Sequence, residues 1–199
     1  VANKKFALKA VAAGVDAIVA EGFEAGGHNG YEETTTMVLI PMLKKLIDIP
    51  IIAAGGIGSG SAMLAAMALG ADGVQIGSRF AASAESSAHP NFQDAIVQAG
   101  DGDTLLTLKQ VVPVRLIKNA FLQQVQKLEN SGATKEDLIK LLGRGRAKKG
   151  MFEGNTDEGE LEIGQVSSMI DTVEPVEKIM HELILEFNEA SNHLRGLKL

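Results

Sequence analysis

Residues 49–60 have the sequence IPIIAAGGIGSG, in which a short apolar run is followed directly by glycines. Short, continuous apolar runs rich in β-branched residues are typical of buried strands in parallel sheets. Two other segments have the same form: DAIVAE at residues 16–21, before Gly22, and GVQI at residues 73–76, before Gly77. We therefore predict three buried parallel strands, each of which ends at a glycine.

Helix-forming segments separate these strands. Leucine and isoleucine recur at spacings of three and four between residues 39 and 47, and SAMLAAMAL follows the second strand at residues 61–69. A further helix over residues 4–13 precedes the first strand. This alternation predicts an α/β fold, either a (β/α)8 barrel or a doubly wound sheet. Because a closed barrel needs about 250 residues, we expect the 199-residue sequence to be part of a larger protein.

The pattern after Ala81 predicts helices only. They cover residues 90–99, 105–130, 135–142 and 176–188. The basic run at residues 144–149 and the acidic loop at residues 153–162 are interpreted as solvated surface.

Composition excludes several classes of protein. The sequence is 45% hydrophobic and 22% charged, which is incompatible with disorder. A net charge of −6 disfavours binding to the nucleic-acid backbone, and the absence of cysteine removes disulfides and thiolate ligands. No apolar run approaches the roughly 20 residues of a membrane span. We expect a soluble cytoplasmic protein that binds neither nucleic acid nor membranes.

The densest candidate site is EGFEAGGHNG at residues 21–30, directly after the first strand. Ligands bind at the carboxyl ends of parallel strands in α/β folds. Gly26, Gly27 and Gly30 flank His28, so the backbone can approach a flat ligand beside an imidazole that exchanges protons near neutral pH. We interpret His28 as an acid–base residue; the alternative is a histidine that only caps the next helix.

Two glycine loops predict a phosphate site. AAGGIGSG at residues 53–60 lies between a strand and a helix, but it has neither the dinucleotide-binding nor the P-loop spacing. GSRF at residues 77–80 ends the next strand. The pair favours a phosphate-bearing cofactor, and two tight turns without a ligand are the alternative. His89, His181 and His193 are interpreted as structural, and no metal site is predicted.

EGFEAGGHNG, IPIIAAGGIGSG and GADGVQIGSRF, in this order and spacing, resemble the FMN-dependent nitronate monooxygenase (2-nitropropane dioxygenase) family, which includes enoyl-acyl-carrier-protein reductase II. The resemblance continues through EGNTDEGELEIGQV to the terminal helix. It implies that residues 1–82 are the last three strand–helix units of a (β/α)8 TIM barrel that binds FMN. Residues 83–165 would be a helical insert over the active site, and residues 166–199 a C-terminal helix packing back on the barrel.

The resemblance also implies roles for individual residues. His28 matches the catalytic histidine of the family, while Gly55 and Gly56 match its phosphate loop. Gly77 and Ser78 match the loop after strand eight. The residues expected to bind the cofactor are Glu21, Gly26, Gly27, Ala54, Gly55, Gly56, Gly77, Ser78 and Gln165.

The resemblance leaves the reaction open. The length of the loop at residues 28–41 favours an oxygenase that oxidises alkyl nitronates with O2. TTTM at residues 34–37 and ESSAHP at residues 85–90 instead favour a reductase that uses NAD(P)H to reduce an enoyl thioester. We rank the oxygenase first; an inactive fragment or binding module is the third hypothesis. Expected partners are a small-molecule substrate, the N-terminal half of the barrel and a second copy of the chain in a homodimer.

Overall fold

A computed structural model describes residues 1–196. The first half of the chain contains α1 (Lys4–Ala12), β1 (Ile18–Glu21), β2 (Gly27–His28), α2 (Thr36–Lys44), β3 (Ile51–Ala54), α3 (Gly60–Ala68), β4 (Gly73–Gln75) and α4 (Ser78–Ala81). The second half contains α5 (Pro90–Gln98), β5 (Thr104–Thr107), β6 (Val114–Ile117), α6 (Ala120–Asn130), α7 (Lys135–Leu142), α8 (Arg146–Met151), a 3-10 helix (Gln165–Met169) and α9 (Val176–Gly196).

The three predicted parallel strands form one sheet in the order β1-β3-β4. Its register places Glu21 beside Ala54 and Ala54 beside Gln75, so all three strands end at the same edge. Leu39, Leu43 and Ile51 are fully buried between this sheet and its helices. The α/β fold predicted from the glycine-ended strands is therefore confirmed.

Capping side chains fix where several helices begin. Ser59 accepts a hydrogen bond from the Ala62 amide at 3.1 Å and starts α3. Thr134 and Asp137 form a reciprocal capping box at the start of α7. The His89 Nδ1 atom accepts from the Asn91 amide at 3.1 Å, so this histidine caps α5 and its structural interpretation is confirmed.

The long helix α9 packs on α3. A Cβ at Gly60 would lie 2.2 Å from the Leu183 carbonyl oxygen and the Phe187 amide, so only glycine permits this close approach. The Gly60 amide donates to the Glu186 carboxylate at 2.7 Å. Within residues 1–196, no helix is both long and apolar enough to cross a membrane. Residues 197–199, the end of the predicted C-terminal segment, lie outside the described residues.

The prediction of a helix over residues 105–130 is wrong for its first half. Strands β5 and β6 pair antiparallel, and β2 adds to the other edge of β6, which gives a second sheet in the order β2-β6-β5. Pro113 lacks an amide hydrogen and disfavours the helical conformation of the residue before it. Val111, Val112 and Val114 surround Pro113 with β-branched side chains, which favour strands. The segment at residues 83–165 is therefore not purely helical.

The interpretation of both charge runs as solvated surface is also wrong in part. The Arg146 guanidinium is half-buried, lies 4.3 Å from the Phe121 ring centre and donates to the carbonyl oxygens of Leu141, Leu142 and Glu158. These carbonyl groups belong to the last turn of α7 and to the acidic loop. Arg146 therefore holds the two charge runs together, because a guanidinium offers five donors in a fixed plane.

Candidate active site

A cavity of about 250 Å³ opens where β1, β3 and β4 end. We call it the glycine cavity. It is lined by Glu21, Glu24, Ala25, Gly26, Gly27, Ala54, Gly55, Gly56, Ile57, Gln75, Gly77, Ser78, Ala81, Met151, Glu162, Ile163, Gly164 and Val166. The three glycine-rich segments identified in the sequence therefore meet at one place.

The turn after β3 needs glycine at two consecutive positions. Gly55 and Gly56 have φ of 88° and 71°, which side chains rarely adopt. A Cβ at Gly55 would lie 2.5 Å from the Gly22 carbonyl oxygen. Within residues 1–196, the amides of Gly55, Gly56 and Gly77 donate no hydrogen bond to a protein atom. The cavity thus has unused backbone donors at two adjacent strand ends, which suits an anionic group.

Glu24 and Thr36 shape the other side of this turn. The Glu24 carboxylate accepts from the Thr36 amide at 3.0 Å, which caps the start of α2. The Thr36 hydroxyl lies 2.8 Å from the Gly55 carbonyl oxygen and 3.1 Å from that of Ala54. The first turn of α2 is thereby joined both to the EGFE segment and to the glycine turn.

The segment at residues 162–165 forms the opposite wall of the cavity. The Gly164 amide donates to the Ser78 hydroxyl at 3.0 Å, and the Gln165 amide donates to the Glu24 carbonyl oxygen at 2.9 Å. A Cβ at Gly26 would lie 2.3 Å from the Ile163 carbonyl carbon, so this wall requires glycine at position 26. Ser78 therefore helps to hold the wall in place.

His28 does not line the glycine cavity. It lies in β2, opposite Val114 of β6, and its exposed side chain lines an adjoining cavity of about 470 Å³. We call this second space the histidine cavity. Glu21 and Gln75 line both cavities, so the two spaces adjoin at the ends of β1 and β4.

Arg115 supports the loop between β1 and β2. This buried side chain donates two hydrogen bonds to the Phe23 carbonyl oxygen, at 2.8 Å from Nη2 and 3.2 Å from Nε, and its guanidinium lies 5.1 Å from the centre of the Phe23 ring. Burial lowers the pKa of Arg115, while Glu24 and Glu33 oppose that shift. Arg115 thereby fixes the peptide that precedes the glycines and His28.

Carboxyl groups dominate the electrostatics of the site. Glu21, Glu24 and Glu162 line the glycine cavity, and no Lys, Arg or His among the described residues does so. Burial raises the pKa of Glu21, and burial raises the pKa of Glu162, with His28 opposing the second shift. Burial, reinforced by Glu162, also raises the pKa of Glu160.

Most of the residues predicted to bind the cofactor come together. All of them line the glycine cavity except Gln165, whose side chain is exposed and which contributes its backbone amide to the wall. Sequence reasoning missed the contributions of Glu24, Thr36, Arg115 and Glu162. Thr36 could have been found as a hydroxyl at a helix start, whereas Glu24 lies 12 residues before it and gave no local capping signal. Arg115 and Glu162 gave no local signal, because their positions depend on the unpredicted second sheet.

Comparison with known proteins supports the resemblance seen in the sequence. The nitronate monooxygenase family model matches residues 1–186. A probable nitronate monooxygenase of Staphylococcus saprophyticus is 40% identical over 130 residues, which are 59% of this chain and 36% of the relative. One from Staphylococcus aureus strain JH9 is 33% identical over 189 residues, which are 89% of this chain and 52% of the relative. The chain thus spans about half the length, or less, of these curated relatives.

Solved structures share the fold. FabK from Thermotoga maritima superimposes with a TM-score of 0.91 at 38% identity, over 98% of this chain and 62% of that one. A nitroalkane oxidase from Streptomyces ansochromogenes superimposes with a TM-score of 0.79 at 30% identity, over 96% of this chain and 56% of that one. Since the family model covers nearly the whole sequence and these folds agree, the chain belongs to the nitronate monooxygenase family.

Proposed function

We propose that this chain forms the C-terminal part of an FMN-dependent oxidoreductase, and that the complete enzyme is a nitronate monooxygenase. In this proposal β1, β3 and β4 are the last three strands of a (β/α)8 barrel. The observation that carries the proposal is the glycine cavity, with unused amides at Gly55, Gly56 and Gly77, directly beside the cavity lined by His28.

The residues that line the glycine cavity fit the phosphate group of FMN if backbone amides bind it, and not if Lys or Arg side chains must do so. Backbone amides and glycine turns bind phosphate through several N–H groups at close range. Gly55, Gly56, Gly77 and Ser78 would hold the phosphate, and the flavin ring would lie in the rest of the cavity, which Gly26, Gly27 and Gly164 also line. Bound FMN would supply the electron transfer that no side chain of this sequence can perform.

His28 would act on the substrate and not on the cofactor. Its side chain lines the histidine cavity, whereas the unused amides lie at the ends of β3 and β4. An imidazole at that position can take a proton from the carbon beside a nitro group, or balance the charge of a nitronate. Phe23 and Arg115 hold the loop that carries His28 in place.

An NAD(P)H-dependent enoyl-acyl-carrier-protein reductase is the second candidate. The similarity to FabK over nearly the whole chain favours it, and so does the TTTM segment that begins α2. In that reaction His28 would orient or protonate the enoyl thioester.

Anaerobic stopped-flow reduction of the flavin in the full-length protein separates the two reactions. We expect an alkyl nitronate to reduce the flavin faster than NADH or NADPH does. Rapid reduction by a nicotinamide, with none by nitronate, would assign the reductase instead. If the purified full-length protein neither contains nor binds flavin, both the monooxygenase and the reductase proposals are contradicted, and a binding module is favoured.

A further inference from the structure

Glu162 reaches into the glycine cavity from the wall that lies across it from β1. Its Oε2 atom lies over Gly27, where a Cβ would come within 2.6 Å of it. Glycine at position 27 is therefore what admits the carboxyl group. The cavity is also lined by Gly27 itself, so the carboxyl stands at the boundary between the cavity and the loop that carries His28.

The second sheet places Glu162 close to His28. His28 pairs with Val114, and Glu162 forms a bridge with Leu116, which is two residues further along β6. Residues two apart in a strand are separated by about 7 Å along its axis. Glu162 and His28 therefore occupy nearby positions along β6, and the charge of His28 opposes the effect of burial on the pKa of Glu162.

No group within residues 1–196 donates a hydrogen bond to the Glu162 carboxylate. His28 from β2 and Glu160 from its own segment interact with its charge, and Glu21 from β1 and Glu24 from the following loop line the same cavity. Three of these four carry negative charge when ionised. Ionising a half-buried carboxyl group near other carboxyl groups costs free energy. Burial accordingly raises the pKa of Glu162.

We propose that Glu162 binds a proton when flavin enters the glycine cavity, so that its carboxyl group meets the ring as an uncharged hydrogen-bond donor. This inference rests on the proposed function, because it requires FMN to bind there. Ligand binding would remove the remaining water from the carboxyl group and bring an anionic cofactor towards it, and both effects oppose the ionised form. The proton comes from solvent, and the neutral acid can then donate its O–H to a ring oxygen or nitrogen.

Proton binding to Glu162 and FMN binding to the protein should therefore be thermodynamically linked. If the bound state holds a proton on Glu162 more tightly than the free state does, FMN affinity is highest at low pH and falls as pH rises through the carboxyl titration. If the pKa of Glu162 differs by one unit between the FMN-bound and the free protein, the affinity for FMN changes by about tenfold across the titration. FMN binding should also take up protons from the buffer.

The test is to measure FMN affinity of the flavin-depleted full-length protein between pH 5.5 and 8.5, by calorimetry in two buffers of different ionisation enthalpy. For the wild-type protein we expect proton uptake and a loss of affinity of about tenfold over this range. Glu162→Gln should abolish most of that proton uptake and bind FMN more tightly than wild type at pH 8.5. Riboflavin, which has no phosphate to titrate, should show the same difference between the two proteins.

Glu160→Gln is the matched control, because Glu160 lies two residues away, is also half-buried and does not line the cavity. It should keep most of the wild-type proton uptake. Equal pH dependence in wild type and Glu162→Gln, with thermal unfolding unchanged, would overturn the assignment to Glu162. Failure of the wild-type protein to bind FMN at any pH would contradict the proposed function, and this inference with it.

Discussion

The two sheets of the molecule differ in strand direction and in the groups that they present to the two cavities. The parallel sheet β1-β3-β4 is buried between helices, ends in glycines and leaves backbone amides unused at its edge. The antiparallel sheet β2-β6-β5 is joined to it by the loop at residues 22–26, and it carries His28 and Arg115. Under the proposed function, the parallel sheet would hold the phosphate of the cofactor, and the antiparallel sheet would carry His28, the proposed acid–base residue. Changes confined to one sheet should therefore leave the other property intact.

The largest expected effect is on turnover, from a change in the second sheet. His28→Asn in the full-length enzyme should reduce the rate by at least about a hundredfold, as is typical when a positioned acid–base group is removed. Bound FMN and the melting temperature should stay close to wild type, because His28 is exposed and does not line the glycine cavity. Steady-state kinetics, flavin absorbance and thermal unfolding of the purified variant measure the three properties.

His89→Asn is the matched control for His28→Asn. It removes an imidazole that caps α5 and packs beside Gly154, and asparagine is itself a good cap. Turnover should therefore be unchanged. A colourless His28→Asn protein, or one with normal turnover, would contradict the division between the sheets.

The next effect is loss of flavin, from a change in the first sheet. Gly56 has φ of 71°, and a Cβ there would lie 3.3 Å from the Glu24 side chain at the rim of the cavity. Gly56→Val should weaken FMN binding at least about tenfold, equivalent to about 1.4 kcal/mol, and leave the helical content nearly unchanged. Fluorescence titration with FMN and far-UV circular dichroism give the two values.

Gly102→Val separates the backbone strain from the effect on the cavity. Gly102 has φ of 74°, and a Cβ added there would meet no atom within 4 Å, so the variant carries the same strain in open space. It should bind FMN normally. Equal FMN affinity in both variants would show that the glycine turn does not hold the cofactor.

A third effect tests whether Arg115 acts through the loop. Lysine retains the charge but cannot make the paired hydrogen bonds to the Phe23 carbonyl oxygen. Arg115→Lys should lower the free energy of unfolding by about 1.5 to 3 kcal/mol, the cost of losing a hydrogen bond to a charged group. Turnover should fall while FMN affinity changes little. Denaturant unfolding and kinetics test this, and the exposed Arg144→Lys should have neither effect.

The smallest effect concerns pH. Because burial and the charge of Glu162 raise the pKa of Glu160, the folded state holds this proton more tightly than the unfolded state. The resulting stabilisation is fully present below the ordinary carboxyl range and is lost as pH rises through the raised pKa. The free energy of unfolding of Glu160→Gln should therefore match that of wild type at pH 4 and exceed it at pH 8 by at most about 0.5 kcal/mol, because solvent screens the charge of this half-buried group. Urea unfolding of both proteins at both pH values measures this difference in the free energy of unfolding. If Glu160→Gln differs from wild type by the same amount at pH 4 and pH 8, titration of Glu160 is excluded as the cause.

The parallel sheet could be predicted from the sequence because its signals are local. The runs IVAE and IIAA are mainly apolar and are followed directly by glycine, and each determines its own strand and turn. The glycine cavity follows from them, because parallel strands end at a common edge. The positions of Gly55 and Gly56 therefore need no long-range information.

The second sheet could not be predicted in the same way. TLLT and VRLI are four residues each, and β2 contains only Gly27 and His28. These strands are stable only because distant segments pair with one another. Their apolar residues run directly into the helix α6, and the combined pattern favours one long helix. The cavity that His28 lines and the contribution of Glu162 both depend on that long-range pairing.

The wall at residues 162–165 has a consequence for the order in which the protein is made. The hydrogen bond from Gly164 to Ser78 joins residues 86 positions apart, and the parallel strands all precede Ser78. A ribosome synthesises those strands long before it reaches the wall, since synthesis proceeds at about 5 to 20 residues per second. The glycine turns therefore leave the ribosome several seconds before residues 162–165 do. If FMN binds as proposed, its complete binding site can form only after this wall has been synthesised.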